Sequence, residues 1–146
     1  MQMDAQTEET VGNRRVLVVD DEDHVRSVIR MILMKEGYDV LEAWDGAHAM
    51  EVLRADDNPL MVDVITCDIR MPKVNGLEAI EYFREQFPST PVVVLTGYPD
   101  TLLAVSLLQN GVVDYVTKPI ESKQLVAVVE QAMKYRPALI RGLNPT

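Results

Sequence analysis

The stretch VLVVDDED, Val16 to Asp23, passes directly from four apolar residues into four acidic ones. A continuous run rich in β-branched residues is typical of a strand covered on both faces, which usually belongs to a parallel sheet. The acids that follow repel each other, since two unit charges about 5 Å apart cost about 3 kcal/mol at an effective dielectric near 20. The cluster therefore requires either a positive charge close by or wide spacing between the acids.

Length and composition restrict the class of protein. A chain of 146 residues fits one domain and can bury roughly two-thirds of its unfolded surface. Its 47% hydrophobic and 25% charged residues are typical of a soluble globular protein. The formal net charge of −9 opposes a phosphate backbone, so we expect no direct nucleic-acid binding by this domain.

The expected location is the cytoplasm. Cys67 is the single cysteine of the chain, and its place in an apolar run indicates a buried thiol in a reducing compartment. The first fourteen residues lack the apolar core of a signal peptide, and no stretch approaches the ~20 apolar residues of a membrane span. We therefore expect no membrane partner.

Strand and helix patterns alternate along the chain. Five apolar residues between Val25 and Leu33 recur at helical spacing, and Gly37 can end this helix in a left-handed conformation. We expect one domain at residues 15–135. Residues 1–14 are expected to form a flexible leader before it, and residues 136–146 a tail or the start of a linker after it. Within it the pattern predicts further strands at 39–43, 61–67, 92–95 and 113–116, and helices at 47–54, 77–86, 101–110 and 122–135.

This alternation predicts an α/β fold, a doubly wound five-stranded parallel sheet with helices on both faces. In such sheets the site lies outside the carboxyl ends of the strands. The residues at the predicted strand ends are Asp20, Asp21, Asp68, Thr96 and Lys118.

Those side chains suit a metal-assisted phosphoryl transfer. Mg²⁺ takes hard oxygen ligands, often one or two carboxylates, and it would supply positive charge together with Lys118. Asp68 stands alone at a central strand end, so we expect it to be the nucleophile that forms an acyl phosphate, while Asp20 and Asp21 share the metal. Lys118 and Thr96 would bind the phosphoryl oxygens. The plainer interpretation is that Asp21 or Asp23 only caps the following helix.

Four motifs, each weak alone, follow one another in a specific order. They are Asp20-Asp21, Asp68 with Met71-Pro72 and Gly76, Thr96-Gly97, and Lys118-Pro119. In this order they resemble the receiver domains of two-component response regulators, the CheY-like family, over about residues 15–135. The resemblance implies a flavodoxin-like (βα)₅ fold with strand order 2-1-3-4-5.

The resemblance also implies a mechanism. A sensor histidine kinase or a phosphotransfer protein would phosphorylate Asp68, and the domain's own site would speed both transfer and hydrolysis. The backbone carbonyl of Arg70 would join the metal ligands. Thr96 would then move toward the phosphate and Tyr115 would turn inward behind it, biasing two conformations of the face formed by the fourth and fifth predicted helices and the fifth strand.

Partners would bind that face. They would be a downstream protein, a fused output domain or a second copy of the chain. The predicted helix from Thr101 is unusually apolar. A helical wheel places Leu102 and Val105 on its outer side and the inward side at Ala104, Leu107 and Leu108. Scattered exposed apolar residues are common, so the outer pair is either incidental or a partner surface.

Two positions should influence phosphoryl lifetime. Arg70 and Tyr98 lie two residues beyond Asp68 and Thr96, where residues in the resembling family shield the phosphoryl group. Their bulk predicts a long-lived phosphorylated state.

Two other function classes remain open from the sequence. A phosphatase of the haloacid-dehalogenase type would use Asp21 as its nucleophile, but it needs further acidic ligands after a later strand, where Thr96 is followed by Gly97 and Tyr98. A degenerate interaction module would never take phosphate, which the complete set of site residues argues against.

Overall fold

The computed structural model describes residues 14–69, 76–97 and 100–136. Apart from Arg14 and Arg136, the predicted leader and the predicted tail lie outside these ranges. The described strands are β1 Arg15–Val19, β2 Asp39–Ala43, β3 Val62–Cys67, β4 Val92–Thr96 and β5 Asp114–Thr117. The described helices are α1 Asp23–Lys35, α2 Gly46–Arg54, α3 Asn58–Met61, α4 Gly76–Gln86, α5 Thr101–Gln109 and α6 Ser122–Met133.

The five strands form one parallel sheet in the order β2-β1-β3-β4-β5. Val16 in β1 pairs with Val40 of β2 on one side and Val64 of β3 on the other. All the carboxyl ends point the same way, so the segments after the strands meet at one edge. The predicted fold class and strand order are confirmed.

Both faces of the sheet are buried, which explains the unbroken apolar run at its centre. Successive side chains of a strand point to opposite faces. Leu17 and Val19 therefore pack into a cluster that includes Phe83 of α4, while Val16 and Val18 pack into a second cluster. The second cluster is completed by residues of α1 and α6, among them Ile29, Leu33, Leu125 and Val129.

The predicted helix ends are largely confirmed. Gly37 follows α1 with φ +94°, the left-handed conformation expected from its position. Gly111 follows α5 with φ +100°, and a Cβ added there would meet the Arg84 guanidinium.

The prediction was wrong between α2 and β3. We expected a strand from Met61 and no helix before it, but Asn58–Met61 form the short helix α3 and β3 begins at Val62. The reason is local: proline is compatible with the first turn of a helix, and the Asp57 carbonyl accepts the N–H groups of Leu60 and Met61. The described ranges therefore contain six helices rather than five.

The helical-wheel prediction of which α5 residues face the core was also partly wrong. Leu107 is buried and Leu103 packs against the core, but Leu108 is 46% exposed instead of facing inward. Because α5 is apolar on every side, its sequence does not show which stripe meets the sheet. Leu102 and Val105 are exposed by 84% and 47%, as expected.

Candidate functional site

Four of the predicted site residues lie at the carboxyl edge of the sheet. Asp20 and Asp68 directly follow β1 and β3, Thr96 is the last residue of β4, and Lys118 directly follows β5. Asp20, Asp68 and Thr96 are buried, whereas Asp21 is exposed. The edge therefore places two acids beneath the surface and one acid in contact with solvent.

The three carboxyl groups are close enough to share a ligand. One oxygen from each of Asp20, Asp21 and Asp68 lies within 4.8 Å of the other two. The ammonium group of Lys118 lies 2.5 Å from Asp20 Oδ2 and 3.2 Å from Asp68 Oδ2. Lys118 is thus one of the positive charges that the acidic stretch requires.

The electrostatics keep Lys118 charged. Burial lowers its pKa, but hydrogen bonds and charge from Asp20 and Asp68 outweigh the burial, so its pKa is raised above the ordinary value. Three carboxyl groups thus face one ammonium group. The site retains an excess of negative charge that favours binding of a further cation.

Asp20 is held by contacts on every polar group. Its N–H donates to the Ala43 carbonyl at 3.0 Å, extending the pairing of β1 with β2. Its Oδ1 accepts the N–H of Glu22 at 2.9 Å, and its Oδ2 accepts from Lys118. Its carbonyl oxygen accepts from Arg26 Nη1 at 2.8 Å.

Arg26 was not singled out from the sequence. Its side chain is 11% exposed, and besides the Asp20 carbonyl it binds Asp23 Oδ1 at 2.6 Å and Glu42 Oε1 at 3.0 Å. Burial lowers the pKa of Arg26, but the two carboxylates raise it by more. The spacing of Asp23 and Arg26 on one helix could have indicated their pair, whereas the contact with Glu42 on β2 exists only in the folded sheet.

Two buried residues beside the acids, Thr96 and Cys67, make different contacts. Thr96 is buried, and its carbonyl accepts the N–H of Lys118 at 2.7 Å, which ties the ends of β4 and β5 together. Cys67 is buried as predicted, and its thiol donates to the Asp68 carbonyl at 3.3 Å. Burial raises the pKa of this thiol, so Cys67 is protonated and unreactive.

The donor set fits a hard divalent cation. Carboxylate oxygens are preferred ligands of Mg²⁺, and two oxygens bound directly to one Mg²⁺ at about 2.1 Å lie at most about 4.2 Å apart. Oxygens that lie within 4.8 Å of one another are near that spacing, so the three carboxylates could hold the ion directly, or one of them could hold it through water. Mg²⁺ commonly retains several waters, so both arrangements are compatible with it.

The proposed switch and shielding residues are only partly described. Tyr115 is half-buried, its ring packs against the core, and its hydroxyl accepts the N–H of Asp100 at 3.2 Å. Arg70 and Tyr98 lie outside the described residues, together with the Met71-Pro72 motif.

Among the described segments, none of the helices combines the length and apolar character that a bilayer crossing needs.

Comparison with known proteins identifies the class to which this fold and this edge belong. Residues 16–130 match the family described as response regulator receiver domain. The chain is a member of this family, which confirms the predicted resemblance to receiver domains of two-component systems. The phosphatase alternative is not favoured.

Individual relatives agree with the family. The chain is 40% identical over 136 residues to hybrid signal transduction histidine kinase D of Dictyostelium discoideum, covering 91% of this chain and 8% of that protein. It is 36% identical over 120 residues to the regulatory protein AtoC of Escherichia coli strain K12, covering 82% of this chain and 25% of that protein. The chain therefore spans a quarter or less of the length of these two relatives.

Solved structures have the same fold. The receiver domain of NtrX from Brucella abortus superposes with a TM-score of 0.74 at 30% identity, covering 82% of this chain and 98% of that one. A receiver domain protein from Clostridium thermocellum superposes with a TM-score of 0.79 at 26% identity, covering 86% and 98%.

Proposed function

We propose that Asp68 is the phosphoacceptor of a two-component phosphorelay. The observation that supports this most strongly is the bridge that Lys118 makes between Asp20 and Asp68 inside a cluster of three carboxylates. Asp68 belongs to the central part of the sheet and is 7% exposed, so an incoming phosphoryl group reaches it only from the carboxyl edge. Asp21 is exposed and suits metal binding better than nucleophilic attack.

The transfer would start from a phosphohistidine on a sensor kinase or a phosphotransfer protein. A carboxylate oxygen of Asp68 forms the new O–P bond while the N–P bond breaks, and the departing imidazole nitrogen takes a proton. Lys118, already 3.2 Å from Asp68 Oδ2, then pairs with the phosphoryl oxygens, and the Thr96 hydroxyl donates to them. The product is an aspartyl phosphate, which the same site hydrolyses later.

Asp20, Asp21, Asp68 and the backbone carbonyl of Arg70 would hold Mg²⁺. When bound, the metal supplies positive charge that offsets the charge on the transferring phosphoryl oxygens. A need for Mg²⁺ is consistent with the excess of carboxylates over ammonium groups at this edge.

The signal would leave through the face formed by α5, β5 and α6, which are the fourth predicted helix, the fifth strand and the fifth predicted helix. Movement of Thr96 toward the phosphate would be followed by inward rotation of Tyr115, which would break its hydrogen bond to Asp100. Leu102 and Val105 on α5 would contact a downstream protein, a fused output domain or a second copy of the chain. The net charge of −9 argues against direct nucleic-acid binding by this face.

We place the domain at residues 15–135, with a leader before it and a tail or linker after it. The buried, unreactive Cys67 is compatible with a cytoplasmic location. We also propose that the bulky Arg70 and Tyr98 shield the phosphoryl group, so that the aspartyl phosphate persists well beyond seconds.

The test uses acetyl phosphate as the donor with and without Mg²⁺. We expect intact mass to show one added phosphoryl group that needs Mg²⁺ and is removed by hydroxylamine. Asp68→Asn should abolish the modification because the nucleophile is gone. Asp21→Asn is the matched control: it should slow the reaction through weaker metal binding and still leave Asp68 modified when Mg²⁺ is raised.

The two variants distinguish a phosphoacceptor at Asp68 from a phosphatase that uses Asp21 as its nucleophile. A phosphoryl group that survives Asp68→Asn but disappears with Asp21→Asn would contradict the assignment of Asp68. The decay of labelled wild type gives the lifetime, and loss within seconds would contradict the shielding role of Arg70 and Tyr98.

A further inference from the structure

We propose that Arg26 is a positioning residue for the metal site: it fixes the peptide between Asp20 and Asp21 and thereby aims the Asp21 carboxylate at the cation. This inference rests on the proposed Mg²⁺ site. The juxtaposition that carries it is the guanidinium of Arg26 lying on the Asp20 carbonyl oxygen, anchored by Asp23 at the start of its own helix and by Glu42 on β2.

The first step of the argument is the rigidity of the peptide plane. The carbonyl oxygen of Asp20, the N–H of Asp21 and the Cα of Asp21 lie in one plane. A hydrogen bond of 2.8 Å from Arg26 Nη1 to that oxygen therefore restricts the direction in which the chain enters Asp21. Asp21 is exposed, so burial does not orient it in the way that it orients Asp20.

The second step concerns how Arg26 itself is held. Its Nε donates to Glu42 on β2 and its Nη2 to Asp23 at the start of α1, while its stem lies on α1. A planar guanidinium bound on three sides cannot rotate away from the Asp20 carbonyl without losing two charged partners. Arg26 thus connects β2, α1 and the loop after β1 at the point where the metal ligands begin.

The third step compares the charge of Arg26 with its positioning effect, because the two would change Mg²⁺ affinity in opposite directions. A positive guanidinium near a cation site weakens cation binding, although Asp23 and Glu42 offset much of that charge. If charge dominated, removing Arg26 would tighten Mg²⁺ binding. If positioning dominates, removing it weakens binding, and the sign of the effect distinguishes the two.

The experiment is a calorimetric Mg²⁺ titration of Arg26→Gln, Arg26→Lys and wild type, at a temperature where far-ultraviolet circular dichroism shows each protein to be folded. We expect both variants to bind Mg²⁺ about tenfold more weakly, the lower end of the effect typical of residues that orient metal ligands. Lysine retains the charge but cannot bind three partners in one plane, so it should not restore the affinity.

Arg30→Gln is the matched control. Arg30 shares the same partner, with its Nε 3.3 Å from Glu42 Oε2, but it is 45% exposed at its side chain and lies one turn further along α1. It should bind Mg²⁺ like wild type. If Arg26→Gln does not fold, Arg26→Lys and Glu42→Gln provide the comparison, since Glu42→Gln weakens the anchor and leaves Arg26 in place.

The outcomes are distinct for the two proposals. A wild type that binds no Mg²⁺ overturns both the metal site and the role of Arg26. A wild type that binds Mg²⁺, with folded Arg26 variants that bind it equally or more tightly, overturns the role of Arg26 alone. An equal loss in Arg30→Gln would also overturn it, because the effect would then belong to Glu42 or to α1 in general.

Discussion

Lys118 determines whether the buried acids at the strand ends can be tolerated. Its ammonium group contacts both Asp20 and Asp68, and its side chain is 15% exposed. Removing one partner of a buried ion pair leaves an uncompensated charge, which costs more than the pair contributes. Lys118 therefore has a structural role in the resting protein in addition to its proposed role with phosphate.

We predict that Lys118→Met lowers the free energy of unfolding by about 3 kcal/mol at pH 7 without divalent cations. The pKa of Lys118 is raised in the folded state, so its stabilisation is complete below its ordinary value of 10.5 and is lost as the pH rises through the folded value. The difference from wild type, measured by urea unfolding, should shrink above pH 10.5.

The double variant Asp68→Asn/Lys118→Met is the control for this prediction. It should recover part of the loss at pH 7, because it removes one of the two repelling acids together with the cation. A single variant as stable as wild type at pH 7 would show that Lys118 does not compensate the buried carboxylates.

At the level of elements, an aspartate side chain caps the N-terminus of α2 and of α5, but no acidic side chain caps α1, the helix that follows the acidic stretch. Asp45 accepts the N–H of His48 at the start of α2, and Asp100 accepts that of Leu103 at the start of α5. At α1 the N-cap residue is Glu22, which makes no side-chain cap. Neither Asp21 nor Asp23 holds the N-cap position, so the interpretation of this acidic stretch as a helix cap is wrong.

The cap of α2 gives a prediction on stability. Asp45 is 5% exposed and its Oδ1 lies 2.8 Å from the His48 nitrogen, so Asp45→Ala should lower the free energy of unfolding by about 1 kcal/mol. Asp45→Asn should stay close to wild type, because asparagine caps equally well. Urea unfolding measures both, and equal losses in the two variants would show that the charge and not the cap matters.

At the level of the whole molecule, Arg136 ties the end of the described chain to the start of the central strand. Its Nη1 lies 2.6 Å from the Val62 carbonyl and 2.8 Å from Asp63 Oδ1, and its Nη2 donates to the Leu60 carbonyl. Asp63 Oδ2 also accepts the N–H of Arg15 at 2.9 Å. The contacts of the domain thus continue one residue beyond the predicted boundary at 135, at the edge of the sheet opposite to the site.

We predict that Arg136→Ala lowers the free energy of unfolding by about 2 kcal/mol, since it removes hydrogen bonds that a charged group makes to two carbonyls and a carboxylate. Lys134→Ala, at an exposed position two residues earlier, should change it by less than about 0.5 kcal/mol. Phosphorylation of Asp68 should be unaffected in both variants. Equal stabilities of the two variants would contradict the role of Arg136.

Local patterns along the chain predicted the sheet, its covered faces and the residues at its carboxyl edge. Apolar runs, helical spacing and the acids at Asp20, Asp21 and Asp68 are local signals, and parallel strands bring their carboxyl ends together in any fold of this class. The site composition therefore follows from the order of the elements along the chain.

The contacts that hold the two edges of the sheet in place could be learned only from the folded molecule. The contacts of Arg26 with Glu42 and of Arg136 with Asp63 join residues on different elements, and the exposed side of the uniformly apolar α5 depends on which stripe meets the sheet. The helix α3 depends on a balance between turn and helix that local pattern does not settle. These features have no periodic signal, because they arise from distances that exist only once the layers have packed.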